Sequence, residues 1–72
     1  MKTNTSSNIK ISAQFVLERE TKGALRYQEV DEQGQPVEQL WAKIGSLYIR
    51  KTAFERGTEP PKRITVTVEA RE

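Results

Sequence analysis

An apolar side chain recurs at every second position from residue 9 to residue 17, and this pattern constrains the fold more than any other feature. The apolar positions are Ile9, Ile11, Ala13, Phe15 and Leu17. Because successive side chains along a strand point to opposite faces, a period of two predicts a half-buried β-strand. The pattern stops at Thr21-Lys22-Gly23 and resumes from Ala24 to Val30. The first thirty residues therefore predict a β-hairpin.

The loop of this hairpin sets an expected register. A three-residue hairpin loop commonly ends in a glycine with a left-handed backbone, and Gly23 is expected to fill that position. The facing pairs are then Leu17 with Tyr27, Arg19 with Leu25, and, on the opposite face, Glu18 with Arg26. Apolar side chains meet apolar ones and an acid meets a base, so the register is self-consistent.

The middle of the chain contains a turn, an ambiguous segment and a third strand. Within residues 31–36, Gly34 is suited to a positive φ, and Pro36 is expected to end the strand pairing. Residues 37–41, Val-Glu-Gln-Leu-Trp, fit either a short edge strand or an irregular excursion. Gly45 interrupts the phase of the apolar positions around it, which predicts a β-bulge in the third strand.

The last third of the chain predicts a helical turn followed by a final strand. Thr52-Ala53-Phe54-Glu55 is a capping-box pattern, and Gly57 lies where a glycine commonly ends a helix. We expect one or two helical turns there, with Phe54 packed on the sheet. Pro60-Pro61 imposes an extended entry, and the β-branched run Arg63–Glu69 predicts the last strand.

Together these elements predict a mostly β (α+β) protein. The expected architecture is a curved antiparallel sheet or a small open barrel of four to five strands, with one short helical turn before the last strand. If residues 37–41 form a strand, the arrangement approaches an OB-like barrel. Residues 9–70 are expected to form a single β-rich domain, and residues 1–8 a disordered polar tail. The expected core consists of Ile9, Ile11, Phe15, Leu17, Leu25, Tyr27, Leu47, Ile49, Ile64, Val66 and Val68.

The small size of the chain predicts self-association. A domain of this length buries only ~60% of the surface that its unfolded chain exposes, and the absence of cysteine removes the disulfide that often compensates. We therefore predict a homodimer in which the segment from Ile64 to Val68 pairs or packs across a twofold axis. Thr65 and Thr67, on the other face of that strand, tolerate a neighbouring chain.

The residue types exclude several catalytic and metal-binding chemistries. The chain has no histidine and no cysteine, which removes histidine-dependent triads, cysteine nucleophiles and His/Cys metal sites. No glycine-rich phosphate-binding motif is present. Solvated faces and turns, rather than an acid/base pair, are the expected places of Glu18, Glu20, Glu29, Asp31 and Glu32. We therefore predict a protein that is not an enzyme and has no cofactor or metal.

The hydropathy pattern favours a cytoplasmic protein without membrane contact. No apolar run approaches the ~20 residues of a membrane span. The first ten residues also lack the apolar segment of a signal peptide. The absence of cysteine agrees with a reducing compartment.

Positive charge is concentrated in the second half of the chain. Residues 1–40 carry five basic and six acidic side chains, a net charge of −1, whereas residues 41–72 carry seven and four, a net charge of +3. Exposed aromatic and basic side chains on one strand suit DNA or RNA, because cations neutralise phosphates and a ring stacks on bases. The alternative is that these residues only keep a sheet edge soluble. The candidate contact residues are Arg26, Lys43, Tyr48, Arg50, Lys51, Arg56, Lys62 and Arg63.

Trp41 supports a second functional hypothesis. Beside a loop rich in proline and glutamine, its ring is either a core plug or an exposed protein interface, since tryptophan dominates binding hot spots. The alternative function is therefore a protein-binding inhibitor or accessory subunit, such as a mobile element carries. The acidic first hairpin would contribute to that role.

Three segments resemble a set of small uncharacterised bacterial proteins. They are Thr21–Tyr27, Ile44–Lys51 and Pro61–Glu69, with the pattern T-K-x-x-x-R-Y … I-G-x-L-Y-I-x-K … P-x-x-I-x-V-x-V-E over roughly two-thirds of the chain. The resemblance implies a bacterial protein and no particular activity. The order strand, short helix, strand is also faintly similar to swapped-hairpin transition regulators of the AbrB type, which implies dimerisation and DNA binding. The long first hairpin departs from that second pattern.

Overall fold

The computed structural model describes residues 9–54, 57 and 59–71, which form one antiparallel sheet. Its strands are β1 (Lys10–Glu20), β2 (Ala24–Val30), β3 (Ser46–Arg50) and β4 (Arg63–Glu69), and a 3-10 turn spans Lys51–Ala53. The spatial order is β3-β2-β1-β4, and the sheet curls into a half-barrel. The predicted fold class, a curved antiparallel sheet with a short turn before the last strand, is confirmed. The predicted tail, residues 1–8, lies outside the described residues.

The long strand β1 holds the sheet together, but its two neighbours overlap along only a short part of it. β4 pairs with β1 from Lys10 to Val16, whereas β2 pairs with β1 from Gln14 to Glu20. The end of the sheet at residues 10–13 of β1 is therefore two strands wide, whereas three or four strands lie side by side elsewhere. Beside the first residues of β1, Lys43 of the loop between β2 and β3 donates from its side chain to the Ser12 carbonyl at 3.1 Å.

The β1–β2 hairpin matches the predicted register at Leu17 and Tyr27 but departs from it nearer the loop. A β-bulge between Leu17 and Arg19 brings Arg19 opposite Arg26, so the predicted pair of Arg19 with Leu25 is wrong. Glu20 faces Leu25 instead. The bulge adds one residue to β1, which shifts every pair closer to the loop by one position.

The predicted left-handed backbone at Gly23 is also wrong, because the described glycines with positive φ are Gly34, Gly45 and Gly57. Thr21 closes the loop instead. Its N–H donates to the Ala24 carbonyl at 2.8 Å, and its hydroxyl accepts from the Ala24 N–H and donates to the Ala24 carbonyl, both at 3.0 Å. These side-chain bonds remove the need for a left-handed residue.

The connection from β2 to β3 is an ordered irregular loop. Gly34 has a φ of 84°, as predicted, and the Asp31 carboxylate accepts the N–H groups of Gln33 and Gln35 at 2.9 Å each. Pro36 makes a single bridge to Val30. Residues 37–41 are an irregular excursion rather than an edge strand, and they end in a turn over residues 39–41.

The core lies on the concave side of the sheet, where Phe15, Leu25 and Tyr27 are almost fully buried. The Tyr27 hydroxyl donates to the Pro61 carbonyl at 2.8 Å and so connects β2 to the segment before β4. Half-buried side chains surround this centre: Leu17, Ile44, Leu47, Ile49, Phe54, Ile64 and Val66. The prediction that Phe54 packs on the sheet is thus confirmed.

Three predicted core residues are exposed. Ile9, Ile11 and Val68 lie at the narrow end of the sheet, where β1 pairs with β4 alone. Because neither β2 nor β3 reaches this end, no described strand covers their apolar side chains. Their assignment to the core is therefore wrong for the single chain.

The turn before β4 is shorter than the predicted helix and is capped differently. The 3-10 turn follows Arg50 directly, and no side chain caps its first residue. Thr52 lies inside the turn, so the predicted capping role of its hydroxyl is wrong, and Glu55 lies outside the described residues. Gly57 has a φ of 82°, the conformation expected of it, although the turn has already ended at Ala53.

Candidate functional site

The convex face of the sheet carries the aromatic and basic side chains that the sequence singles out. Arg26 of β2 lies directly opposite Tyr48 of β3, and Ala24 lies opposite Arg50. Since paired residues point to the same side of a sheet, Arg26, Tyr48 and Arg50 share the face away from Tyr27 and Leu47. We call these three residues the Tyr48 cluster.

Tyr48 is the exposed aromatic of this cluster. Sixty per cent of the residue is accessible to solvent. The Arg26 guanidinium carbon lies 5.9 Å from the ring centroid, a cation–π distance. The Arg26 Nε lies 3.2 Å from the Glu18 carboxylate, an ion pair without hydrogen-bond alignment, since the buried Nε makes no hydrogen bond. Arg26 is therefore held against the ring by Glu18.

Two open hollows flank the cluster on the convex face. One, of about 370 Å³, is bounded by the hairpin loop, Tyr48 and Arg50. The other, of about 410 Å³, lies between Arg26, Gln28 and the residues just before β3. The polar groups of this second hollow include the amides of Gln28 and Gln39 and the hydroxyl of Ser46. Tyr48 and Arg50 thus border the first hollow, and Arg26 borders the second.

The other candidate residues are spread more widely than the sequence suggests. Arg63 is on the same face but two strands away, opposite Val16, and Lys62 is exposed just before it. Lys51, in the 3-10 turn, forms an ion pair with Glu20 at 2.8 Å.

Lys43 does not belong to the Tyr48 cluster. Its ammonium donates to the Ser12 carbonyl at 3.1 Å, so it bridges the β2–β3 loop to the free edge of β1. Arg56 lies outside the described residues. Of the eight candidates, the structure therefore brings three together and leaves two more, Lys62 and Arg63, near one another.

Glu29 is a structurally central residue that the sequence interpretation missed. Only 4% of it is exposed, so its assignment to a solvated face is wrong. Its carboxylate accepts the backbone N–H groups of Ile44 at 2.8 Å, Gly45 at 2.9 Å and Lys43 at 3.2 Å. Its position follows Leu25 and Tyr27 on the inward face of β2, and that alternation was the available signal.

The pKa of Glu29 lies below its ordinary value of 4.5. Burial by itself raises the pKa of a carboxyl group, but the three N–H donors and the nearby positive charge of Lys43 outweigh it. The buried group is therefore ionised. A carboxylate that holds three consecutive N–H groups fixes the backbone of residues 43–45, which precede the Tyr48 strand.

The same loop exposes two large apolar side chains, Leu40 and Trp41. Leu40 is 81% exposed and Trp41 is 74% exposed. Trp41 lies at the rim of an open cleft of about 560 Å³ that also borders Ser12, Glu29 and Lys43. The ring is therefore not a core plug, and of the two interpretations of Trp41 only the interface remains open.

Within the part of the chain that the structure describes, no three acidic side chains come close enough to hold a metal ion. No helix among the described residues is long and apolar enough to cross a membrane.

No protein-family model matches the chain, and no curated protein or solved structure matches it significantly.

Proposed function

We propose that this protein is a non-enzymatic binding module that contacts single-stranded nucleic acid through the Tyr48 cluster. The observation that carries the proposal is the exposed Tyr48 ring between two arginines on an open sheet face. A ring on such a face is accessible to an unpaired base, whereas a base inside a duplex is already stacked on its neighbours. We expect the neighbouring phosphate to lie in the hollow that Tyr48 and Arg50 border.

The charge distribution supports contact with phosphate but limits its strength. The two ion pairs found among the described residues involve Arg26 and Lys51. Neither includes Arg50 or Lys62, and we expect these two side chains to contact phosphates. With a net charge of +2 for the whole chain, we expect modest affinity that falls as the salt concentration rises.

Fluorescence anisotropy with labelled single-stranded and double-stranded DNA and RNA tests this proposal. We expect single strands to bind more tightly than duplexes. We expect Tyr48→Ala to weaken single-strand binding by about 1–3 kcal/mol, the value of one stacked base. Arg50→Glu should weaken binding and lower its salt dependence, whereas Arg71→Glu is the control with the same change of charge outside the cluster. Equal effects of Arg50→Glu and Arg71→Glu would contradict a site at Tyr48.

A second candidate function, a protein-binding inhibitor or accessory subunit, is favoured by a different observation. Leu40 and Trp41 are adjacent, large and mostly exposed on a loop that Glu29 holds in place. A rigid aromatic side chain is a common hot spot of a protein interface. Trp41→Ala separates the two functions, because it should leave nucleic-acid binding unchanged. A large loss of nucleic-acid affinity in Trp41→Ala, with none in Tyr48→Ala, would displace the Tyr48 cluster as the site.

A further inference from the structure

The outer edge of β4 is an unpaired sheet edge with a known hydrogen-bond phase. The Leu17 N–H donates to the Lys62 carbonyl, and the Ala70 N–H donates to the Ile9 carbonyl, at 2.8 and 2.9 Å. Even-numbered residues of this segment therefore bond to β1, and the odd-numbered ones point their N–H and C=O groups outward. No described strand pairs with that side of β4. The outward groups belong to Arg63, Thr65, Thr67 and Glu69.

We propose that this edge pairs in antiparallel fashion with β4 of a second copy of the chain, about a twofold axis that passes at Val66. In this register Arg63 lies opposite the partner's Glu69, and Thr65 lies opposite the partner's Thr67. The outward-pointing residues then exchange about eight main-chain hydrogen bonds across the interface. The strand sequence Arg-Ile-Thr-Val-Thr-Val-Glu is complementary to itself when it is reversed.

Charge selects this register over its neighbours. On the outer edge of β4, only the odd-numbered residues have free N–H and C=O groups. Any alternative register must therefore again pair odd-numbered residues with odd-numbered residues of the partner. One step in one direction places Arg63 opposite the partner's Arg71, which brings like charges together. One step in the other direction places Glu69 opposite the partner's Pro61, which has no N–H to donate. The register centred on Val66 pairs all seven residues of β4 and matches both charges.

The polar face of the proposed dimer extends contacts that already exist in one chain. Glu69 lies opposite Lys10 in the single chain, so in the dimer it lies between Lys10 and the partner's Arg63. The Ser12 and Thr67 hydroxyls are 3.1 Å apart, and the partner's Thr65 continues that row of hydroxyl groups. Opposite charges and paired threonines across strands each stabilise a sheet.

The concave face of the dimer also covers an exposed apolar residue. Val68 is 46% exposed in the single chain, and the register places it opposite the partner's Ile64. β3, the other edge strand, is less suited to pair with its own copy. It has only five residues, it follows Gly45 with its φ of 99°, and pairing about Tyr48 would leave Arg50 opposite a serine. The self-complementary edge is therefore β4.

Cysteine cross-linking and light scattering test both the dimer and its register. The chain has no cysteine, so a single introduced thiol reports on one pair. Residues on the twofold axis in a non-hydrogen-bonded pair lie within disulfide distance, so Val66→Cys should form a covalent dimer on mild oxidation. Thr67→Cys, one residue away, is the matched control and should remain largely uncross-linked, because its two copies lie about 7–8 Å apart on diagonal positions. Equal cross-linking of the two variants would overturn the register.

Charge reversal provides an independent test that does not depend on oxidation. Light scattering of the unmodified protein should give twice the 8.3 kDa of one chain. Arg63→Glu creates two repulsive pairs and should raise the dissociation constant about tenfold or more. The triple variant Arg63→Glu/Glu69→Arg/Lys10→Glu restores opposite charges both across the interface and between β1 and β4, because Glu69 lies opposite Lys10 in the single chain, and it should recover the dimer. A mass of one chain for the unmodified protein at 50 μM, or no recovery in a folded triple variant, would overturn the proposal.

Discussion

At the scale of single residues, Glu29 is the side chain on which the most backbone structure depends. It lies in a strand whose inward positions are otherwise apolar, and three N–H groups of a distant loop compensate the cost of burying its charge. A leucine at this position would fill the space but leave those N–H groups without an acceptor. The position therefore requires a carboxylate, although it lies on the apolar face.

Substitution of Glu29 by glutamine should destabilise the protein by about 1–3 kcal/mol, because the amide is neutral and one of its two heads is a donor rather than an acceptor. Urea unfolding, followed by circular dichroism of the strands, measures the loss. Glu32→Gln, at an exposed position of the same loop, is the matched control and should change the free energy of unfolding by less than about 0.5 kcal/mol. Equal stabilities of the two variants would show that the loop does not depend on the Glu29 carboxylate.

The pH dependence of stability provides a second readout of the same prediction. Because the pKa of Glu29 is lower in the folded state than its ordinary value of 4.5, the unfolded chain binds the proton more readily. The stabilising contribution is therefore fully present above pH 4.5 and is lost as the pH falls below it, through the folded pKa. Glu29→Gln should reduce this acid-dependent loss. An unchanged pH profile in the variant would contradict the assignment.

At the scale of elements, the alternation of apolar residues predicted the strands, but it did not predict how the hairpin closes. Leu17 faces Tyr27 as expected, since a shift by one residue would turn the whole apolar set toward solvent. Nearer the loop, a bulge at Glu18 shifts the pairing by one residue, and the Thr21 hydroxyl closes the loop by hydrogen bonds to Ala24. The prediction of a left-handed backbone at Gly23 rested on the preference of glycine for the last position of a three-residue loop. It did not consider that the Thr21 hydroxyl could close the loop, and it failed for that reason.

One part of the candidate site could be predicted, because it follows from which residues of β3 face the core and which face outward. Tyr48 and Arg50 point away from the core because Leu47 and Ile49 point toward it, and that much follows from the sequence. The hairpin register already predicted that Glu18 and Arg26 lie near one another, and the structure brings them into an ion pair, although the bulge makes Arg19 the residue directly opposite Arg26. The ion pair of Lys51 with Glu20 joins the 3-10 turn to β1, and sequence spacing did not predict it.

Two glycines with different backbone conformations, Gly45 and Gly23, allow a test of where the fold requires a positive φ. Gly45 has a φ of 99°, whereas Gly23 has no positive φ, and a side-chain carbon would meet no atom within 4 Å at either position. Gly45→Ala should therefore destabilise the protein by about 1–2 kcal/mol through backbone strain alone. Gly23→Ala, the matched substitution, should change stability by less than about 0.5 kcal/mol. Thermal unfolding by circular dichroism compares them, and a larger loss in Gly23→Ala would contradict the observed loop.

At the scale of the whole molecule, the sheet is open, and its two edges differ in character. The β3 edge carries Tyr48 and Arg50, which support nucleic-acid contact, and the β4 edge carries a self-complementary strand. A dimer through β4 leaves both copies of β3 at the outer edges of one eight-stranded sheet. Because the twofold axis is perpendicular to the sheet, the two Tyr48 clusters lie on the same face. In such a dimer Arg63 pairs with Glu69 and contributes little to phosphate binding.

The dimer and the Tyr48 cluster together predict that affinity depends on the length of the nucleic acid. Seven strand spacings, at most about 34 Å in the curled sheet, separate the two β3 edges. The two clusters are also displaced along the strands in opposite directions, because Tyr48 lies several residues from the level of the twofold axis. A single strand of about 30 nucleotides should reach both clusters, whereas one of about 8 nucleotides should reach only one. Linked binding then makes the long strand bind more tightly than the short one, because the second contact is intramolecular.

The ratio of the two affinities is the quantity to measure, because a loss of affinity common to both strands leaves it unchanged. In Arg63→Glu, at a concentration at which light scattering gives the mass of one chain, the ratio should fall to the value set by the number of sites on each strand. The same ratio in both proteins would mean that the two clusters do not act together.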